Sequence, residues 1–250
     1  MASSLSGKKI LIVGGTSGIG FSVAKFALLD HASEVVVASS TKEKVDAAVS
    51  KLRAVITEHG LVGKADGLVV DATKTEDLKE AMAKVGELDH LVWTSVAGPL
   101  RPTPLDGSDL VENKSMFDLQ FWGLATAVQV AKIRPGGSIT ATSSTSKIRP
   151  HPSYGLLCAL NGTISTFARG LAVDLAPVRV NAVCPGLVKT ELWDGLSKEV
   201  NDHIFGQALQ KSLVKHIADA DEIADAYLFC MKCRYVTGQT IVVDGGAIFT

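Results

Sequence analysis

The sequence has almost no excess of charge and no long apolar run. Its 25 basic and 26 acidic residues give a formal net charge of −1, which argues against a nucleic-acid surface or a polybasic membrane anchor. No uninterrupted apolar stretch approaches the roughly 20 residues that cross a bilayer, and the N-terminus has no stretch of signal-peptide length. We therefore predict a cytoplasmic protein with no nucleic acid and no membrane as partner.

Cysteine is also scarce. Its four positions are Cys158, Cys184, Cys230 and Cys233, and free buried thiols are the usual state in the cytosol. The last two have C-x-x-C spacing, but they lack a second pair for zinc and do not open a thioredoxin-like βαβ unit. We interpret them as structural. The histidines have no ligand-like spacing, so we predict no metal site.

Short, continuous apolar runs alternate with longer helical patterns. At 250 residues and 46% hydrophobic, the chain can bury a full core and is too apolar for disorder. Strands are predicted over Lys9–Val13, Glu34–Ala38, Gly67–Val70, Leu88–Thr94, Gly137–Thr142, Arg179–Cys184 and Thr240–Val243. Helices are predicted over Ile19–Leu29, Lys42–Glu58, Thr75–Lys84, Asp109–Ile133 and Leu156–Leu175. The least regular segments are Gly98–Gly107 and Lys189–Gln210.

This alternation predicts the fold class. Continuous apolar strands suit a sheet that is buried on both faces, and strands separated by helices form right-handed βαβ units. We predict an α/β protein, a single doubly wound Rossmann-type domain with a parallel sheet over residues 1–250. The irregular segment at about 189–210 is its predicted lid.

A glycine-rich turn follows the first predicted strand. Glycines with Gly-x-x-x-Gly-x-Gly spacing let a backbone turn tightly and approach a diphosphate at a helix N-terminus. The strand, turn and helix context predicts a dinucleotide site. Its candidate residues are Gly14, Thr16, Ser17, Gly18, Ile19 and Gly20.

At this point the chain resembles the short-chain dehydrogenase/reductase family over essentially its full length. Asp71 and Ala72 follow the third strand, where the family contacts adenine. The fourth strand leads into Ser-Val-Ala-Gly, where the family has Asn-Asn-Ala-Gly. Further segments that carry the resemblance are Arg179–Gly186, Val188–Thr190, Val236–Gly238 and Val243–Gly246. The resemblance implies cofactor contacts from Ser95, Ala97, Gly98, Pro185, Gly186, Val188 and Thr190.

The end of the second strand indicates which nicotinamide cofactor is bound. An acidic residue there would bind a ribose 2′-hydroxyl and repel a 2′-phosphate. This strand ends instead in Ser39 and Ser40, with Lys42 close behind and no carboxylate. Hydroxyls and a cation can hold a phosphate, so we predict NADP(H).

The family's catalytic residues are a Ser, a Tyr-x-x-x-Lys pair and an Asn. Aligning Arg169–Pro177 with the end of the family's catalytic helix puts the Lys position at Asn161 and the Tyr position at Leu157. The family's Ser is kept as Ser144, thirteen residues before Leu157. Tyr154 lies about one helical turn upstream of the tyrosine position.

The fourth member, the Asn, is replaced by Gln120. We predict Ser144, Gln120 and Tyr154 as catalytic candidates and Asn161 as a ribose contact. Without a nearby cation, Tyr154 would keep a phenol pKa near ~10, and the loss of a positioned acid typically costs roughly 10²–10⁴ in rate.

These departures favour substrates that need little acid catalysis. Within the family, the chain resembles a subgroup found in bacteria and in fungal specialised metabolism. The segments that carry this resemblance are Thr142–Ser144, Arg149–Pro152 and Ala159–Gly162. Some fungal members of this subgroup reduce iminium intermediates and assist a cyclisation. His151 and Tyr154 are alternative acids, and Trp193 could cover a flat substrate.

Three functions remain open at this stage. The first is an NADPH-dependent reductase of a small, hydrophobic, electron-poor intermediate, such as an imine, an enone or a carbonyl compound. The second is a non-redox cyclase or isomerase with bound cofactor, and the third is an NADP(H)-sensing binding protein. The resemblance also implies a homodimer or homotetramer.

Overall fold

The computed structural model describes residues 4–96, 103–106, 109–111 and 113–250. Within them, seven parallel strands form one sheet in the order β3-β2-β1-β4-β5-β6-β9. Its strands are β1 (Lys9–Val13), β2 (Glu34–Ser39), β3 (Lys64–Val69), β4 (Glu87–Trp93), β5 (Lys132–Thr142), β6 (Arg179–Pro185) and β9 (Thr240–Val243). A separate parallel pair joins β7 (Val188–Lys189) to β8 (Ala218–Asp219). The strand order reverses between β1 and β4, which is where α/β sheets of this kind bind ligands.

Helices cover both faces of the sheet. They are α1 (Gly18–Leu29), α2 (Lys42–Glu58), α3 (Thr75–Val85), α4 (Lys114–Phe117), α5 (Leu124–Val130), α6 (Gly155–Asp174), α7 (Lys198–Lys211) and α8 (Ala220–Lys232). One apolar cluster contains residues of α1, α2 and α8, and a second contains residues of α3, α5 and α6. The core therefore lies in two layers, one on each face of the sheet. The predicted α/β class with a doubly wound parallel sheet is confirmed.

The predicted helix Asp109–Ile133 is wrong at both ends. The Asp109 carboxylate accepts the Val111 N–H at 2.7 Å, which makes a local turn instead of a helix start, and helix begins only at Lys114. At the other end, Lys132 and Ile133 pair with Glu87 and Leu88 of β4. The apolar pattern of the sequence continues past Val130, where α5 ends. Pairing with β4 is what turns the following residues into strand.

The sequence predicts an irregular lid segment, but helix α7 occupies most of it, at Lys198–Lys211. The next helix, α8, is absent from the predicted set. Asp219 and Glu222 form a capping box at its start, and the Asp-x-x-Glu spacing is a signal in the sequence that could have identified it.

Helix α6 is long and apolar enough to cross a membrane by length and composition, with a mean hydropathy of 1.3. Its Leu157, Leu160, Ile164 and Ala168 are buried inside the protein. Core helices pass the same test, so this helix is weak evidence for a membrane. The absence of a membrane partner stays a prediction.

Candidate active site

The glycine-rich turn brings β1, α1 and β4 into close contact. A Cβ on Gly20 would lie 2.2 Å from the Gly14 carbonyl oxygen and 2.4 Å from Thr94 Oγ1. Gly14 has φ +86°, and a Cβ there would lie 2.6 Å from the Ser95 backbone nitrogen. Any larger side chain would fill this cradle. The turn therefore fits the backbone approach that a dinucleotide diphosphate requires.

The N-terminus of α1 has little capping from its own residues. Ser17 is its N-cap residue but makes no side-chain capping hydrogen bond, and the first turn holds no acidic residue. Instead, the Gly18 N–H donates to Glu191 Oε2 at 2.9 Å. This position favours an anion, and a carboxylate from the distant lid segment takes it. Glu191 is absent from the predicted site, because nothing local in the sequence connects it to Gly18.

A cavity of about 380 Å³ lies beside the carboxyl ends of β2 and β3, lined by Ser40, Asp71 and Lys74 among others. The Asp71 carboxylate accepts from the Thr73 hydroxyl at 2.7 Å, and this contact lowers the pKa of Asp71. Lys74 is a second cation at this end of the site and is absent from the predicted set. In the sequence, Lys74 lies three residues after the predicted adenine contact Asp71, and this spacing could have identified it.

The predicted 2′-phosphate residues lie together at the end of β2. Ser39 is half-buried and Ser40 is exposed. The Lys42 ammonium contacts the Asp46 carboxylate at 2.6 Å. Any phosphate that binds Lys42 would compete with this exposed ion pair.

Several of the predicted cofactor contacts lie at the end of β6 and in the segment after it. A Cβ on Gly186 would lie 2.8 Å from Asp244 Cβ, so only glycine fits between β6 and the C-terminal segment. The Val188 carbonyl accepts from Trp193 Nε1 at 2.9 Å. Thr190 packs against Gly18, with its Cβ 3.2 Å from where a Gly18 Cβ would lie. Of the other predicted cofactor contacts, Ala97 and Gly98 lie outside the described residues.

The loop that carries Ser144 is tied to α6 by short polar contacts. Ser144 Oγ accepts the Ser146 N–H at 3.3 Å. The Asn161 side-chain nitrogen donates to Ser146 Oγ at 3.4 Å and to the Leu157 carbonyl at 2.9 Å. Ser143 Oγ donates to the Asn161 carbonyl at 2.9 Å. The Asn161 side chain is 2% exposed and holds the Ser146 loop against α6. Its predicted correspondence to the family's Lys and its ribose contact stay predictions.

Leu157, which the alignment predicts at the family's tyrosine position, is apolar and buried at 6% exposure. Tyr154 is the N-cap residue of α6. Burial raises the pKa of the Tyr154 phenol above its ordinary value, which makes it a weaker acid. The His151 ring packs edge-on against it, with centroids 5.9 Å apart, and burial lowers the pKa of His151.

Gln120 lies in a π-helical turn, Asp118–Gly123, that joins α4 to α5. Such turns occur frequently at functional sites. Gln120 itself is buried at 5% exposure. A Cβ on Gly123 in the same turn would lie 2.5 Å from the Ala72 carbonyl oxygen and 3.0 Å from the Trp93 ring. The turn is therefore fixed against β4 and the segment after β3.

One further cation lies near this centre. Burial raises the pKa of Cys184 to about 11, and the Lys147 charge opposes that shift. Lys147 follows Ser144 on a short 3₁₀ turn, Thr145–Lys147, and is absent from the predicted site.

The four cysteines are all free thiols. Among the described ranges, no group of three or more His, Cys, Asp and Glu side chains could hold a metal, so the absence of a metal stays a prediction.

The fold and the glycine-rich turn define a dinucleotide-binding oxidoreductase architecture. The family model for the SDR-like Rossmann domain matches residues 1–250. The chain is 33% identical over 259 residues to the short-chain dehydrogenase/reductase ucsE of Acremonium sp, covering 99% of this chain and 97% of that protein. The chain belongs to the short-chain dehydrogenase/reductase family.

Two solved structures are similar over nearly the whole chain. The MalC reductase/Diels-Alderase from Malbranchea aurantiaca has a TM-score of 0.88 and 28% identity, with 98% of each chain covered. A small-chain dehydrogenase in complex with NADPH has a TM-score of 0.79 and 28% identity, covering 97% of this chain and 100% of that one. The predicted resemblance to fungal specialised-metabolism members is confirmed.

Proposed function

We propose that this chain is an NADP(H)-dependent reductase that works without a Tyr–Lys pair. Its substrate is a hydrophobic natural-product intermediate with an electron-poor C=N or conjugated C=O group. The observation that carries the proposal is the pair at Leu157 and Asn161. In our alignment these are the positions of the family's acid and its cation, and here they hold a leucine and a neutral amide that are both buried.

The cofactor assignment is supported at the end of β2 and at the glycine-rich turn. The end of β2 offers hydroxyls and no carboxylate, with Lys42 close behind. Lys74 and Lys84 line the cavity beside it, together with Asp71, Asp77 and Glu80. The glycine cradle at Gly14 and Gly20 admits a diphosphate. The NADPH complex of the similar small-chain dehydrogenase supports the same cofactor. When bound, NADPH supplies a hydride.

The chain's own residues orient the substrate and supply little acid. The half-buried Ser144 hydroxyl can donate to a carbonyl oxygen or an imine nitrogen of the substrate, and the Gln120 amide can do the same from the π-helical turn. The raised pKa of Tyr154 makes it a poor donor at neutral pH. An iminium carbon that accepts a hydride becomes a neutral amine and needs no proton, whereas an unactivated ketone becomes an alkoxide that does. The site therefore favours the iminium.

The test is a single-turnover assay with NADPH-saturated protein. A cyclic iminium, a conjugated imine, an enone and an unactivated ketone are compared through the loss of reduced-nicotinamide absorbance. We expect oxidation of bound NADPH with the iminium and little with the ketone. Ser144→Ala and Gln120→Ala should slow the reactions of the conjugated imine and the enone, whose nitrogen and oxygen can accept a hydrogen bond.

Tyr154→Phe is the discriminating variant, and we expect it to change the rate by less than about tenfold. A loss of roughly 10²–10⁴ would instead identify Tyr154 as the acid. Equal rates with ketone and iminium would contradict the proposal. Tight NADPH binding with no turnover of any substrate would favour a cofactor-sensing protein.

A second candidate function is a cyclisation in which the cofactor is not consumed. The MalC structure supports it, because that similar protein is described as both a reductase and a Diels-Alderase. Substrate conversion without NADPH oxidation would distinguish this function from the first.

We also propose a homodimer or homotetramer in the cytoplasm. Large apolar side chains are exposed on the two long helical segments, namely Trp122 at 60% and Val173 at 77%. Light scattering tests the oligomer, and a monomer would contradict it. Fractionation of cells that express the chain tests its location.

A further inference from the structure

Glu191 connects the lid segment to the start of α1. Its Oε2 accepts the Gly18 N–H at 2.9 Å, although the two residues are 173 positions apart. A Cβ on Gly18 would lie 3.5 Å from this oxygen and 3.2 Å from Thr190. Thr190 and Glu191 therefore close directly over the glycine-rich turn.

The contact occupies an anion position. Helix α1 has 12 residues, no acidic residue in its first turn and no side-chain cap from Ser17. Its N-terminus carries partial positive charge, and hydrogen bonds from its N–H groups to an anion are strengthened by that charge. In this fold a cofactor diphosphate takes the same place. The Glu191 carboxylate thus stands where a diphosphate would bind.

The carboxylate is held by a braced segment. Glu191 begins the 3₁₀ turn Glu191–Trp193, and Trp193 Nε1 donates to the Val188 carbonyl at 2.9 Å. The Trp193 ring packs edge-on against Phe205 of α7, with centroids 5.9 Å apart. Asn201, also on α7, donates its side-chain N–H to the Trp193 carbonyl at 3.0 Å. Movement of Glu191 therefore involves the whole segment as far as α7.

We propose that Glu191 is an internal competitor for the diphosphate subsite. Its carboxylate binds Gly18 in the free protein and is displaced when the cofactor arrives, so it lowers cofactor affinity and links occupancy of the site to the position of the lid. Two anions cannot share one N–H group at hydrogen-bond distance without strong repulsion. The inference rests on the NADP(H) binding of the proposed function.

The test compares Glu191→Gln with a matched control, Asp194→Asn. Both changes remove one negative charge from the same exposed turn, but only Glu191 contacts Gly18. Fluorescence titration gives the NADPH affinity, and calorimetry gives the affinity for inorganic pyrophosphate. We expect Glu191→Gln to bind both about three- to thirtyfold more tightly, and Asp194→Asn to remain within about twofold of the unaltered chain.

A second readout needs no cofactor. Hydrogen exchange in the free protein should be faster for Glu191→Ala over residues 16–24 and 189–196, because the bond that holds the two segments together is lost. Asp194→Asn should leave that exchange unchanged. Faster exchange together with tighter binding supports the competitor role.

The outcomes separate the two levels of the proposal. If the unaltered chain binds NADPH and Glu191→Gln binds it no more tightly, the competitor role is overturned while the proposed function stands. Unchanged exchange in Glu191→Ala would also overturn the role. If NADPH binds to none of the proteins, the proposed function is overturned and the competitor role with it.

Discussion

Gly20→Ala tests the packing on which the whole cofactor site depends. The added Cβ would lie 2.2 Å from the Gly14 carbonyl oxygen, whereas real Cβ atoms stay beyond about 3.0 Å. The two groups must therefore separate by at least about 0.8 Å. Gly14 has little room to withdraw toward the end of β4, because even a Cβ on Gly14 would lie 2.6 Å from the Ser95 backbone nitrogen. Helix α1 has to move instead.

The expected cost follows from that displacement. Overpacking of this kind typically costs about 1–3 kcal/mol, which corresponds to a fall in Tm of roughly 2–10 °C for a chain of this length. A helix N-terminus that moves by nearly 1 Å no longer presents its N–H groups correctly, so we also expect NADPH affinity to fall by roughly tenfold or more. Thermal unfolding and fluorescence titration measure the two effects.

Gly170→Ala is the matched control. It makes the same substitution inside α6, where an added Cβ meets nothing within 4 Å. Higher helix propensity should stabilise this variant by up to about 1 kcal/mol. If Gly20→Ala unfolds and binds NADPH as the unaltered chain does, the reasoning from close packing is refuted.

Three further predictions concern other parts of the molecule. Lys42→Ala should weaken NADPH binding about three- to tenfold and leave NADH binding unchanged. Asp46→Asn releases Lys42 from its 2.6 Å ion pair and should tighten NADPH binding. Calorimetry with both cofactors measures these affinities. Burial lowers the pKa of His90 to about 4 from its ordinary 6.5. Between these two pH values the unfolded chain binds a proton at His90 that the folded chain excludes. The free energy of unfolding should therefore fall by roughly 3 kcal/mol as the pH drops from about 6.5 to about 4. Urea unfolding at several pH values should show a smaller fall in His90→Asn. Arg179→Met removes the guanidinium that donates to the Met231 carbonyl at 2.7 Å, and we expect urea unfolding to show a loss of about 2–4 kcal/mol.

Contrary results for these three are equally specific. Equal weakening of NADH and NADPH in Lys42→Ala would remove the 2′-phosphate role of Lys42. The same pH dependence in His90→Asn and the unaltered chain would assign the acid sensitivity to other groups. Unchanged stability of Arg179→Met would mean that the end of α8 does not depend on this contact.

The local signals in the sequence predicted the fold correctly but not all of its boundaries. Apolar runs of strand length and helical periodicity are properties of neighbouring residues, so they identified the seven strands of the sheet and most of the helices that cover it. They missed α7 and α8. The boundary at Lys132 depends on a ladder with β4, which lies more than 40 residues away. No local pattern contains that pairing.

The same division holds in the site. Glycine spacing by itself predicted the glycine-rich turn, because a missing Cβ is a local property. The alignment by itself predicted that Leu157 and Asn161 replace the Tyr–Lys pair, and that stays a prediction. Only the tertiary structure decided that Asn161 braces the Ser146 loop. It also decided that Glu191 occupies the start of α1. A hydrogen bond requires its donor and acceptor to lie about 3 Å apart in space, whatever number of residues separates them in the sequence. Contacts between remote segments are therefore seen only in the folded chain.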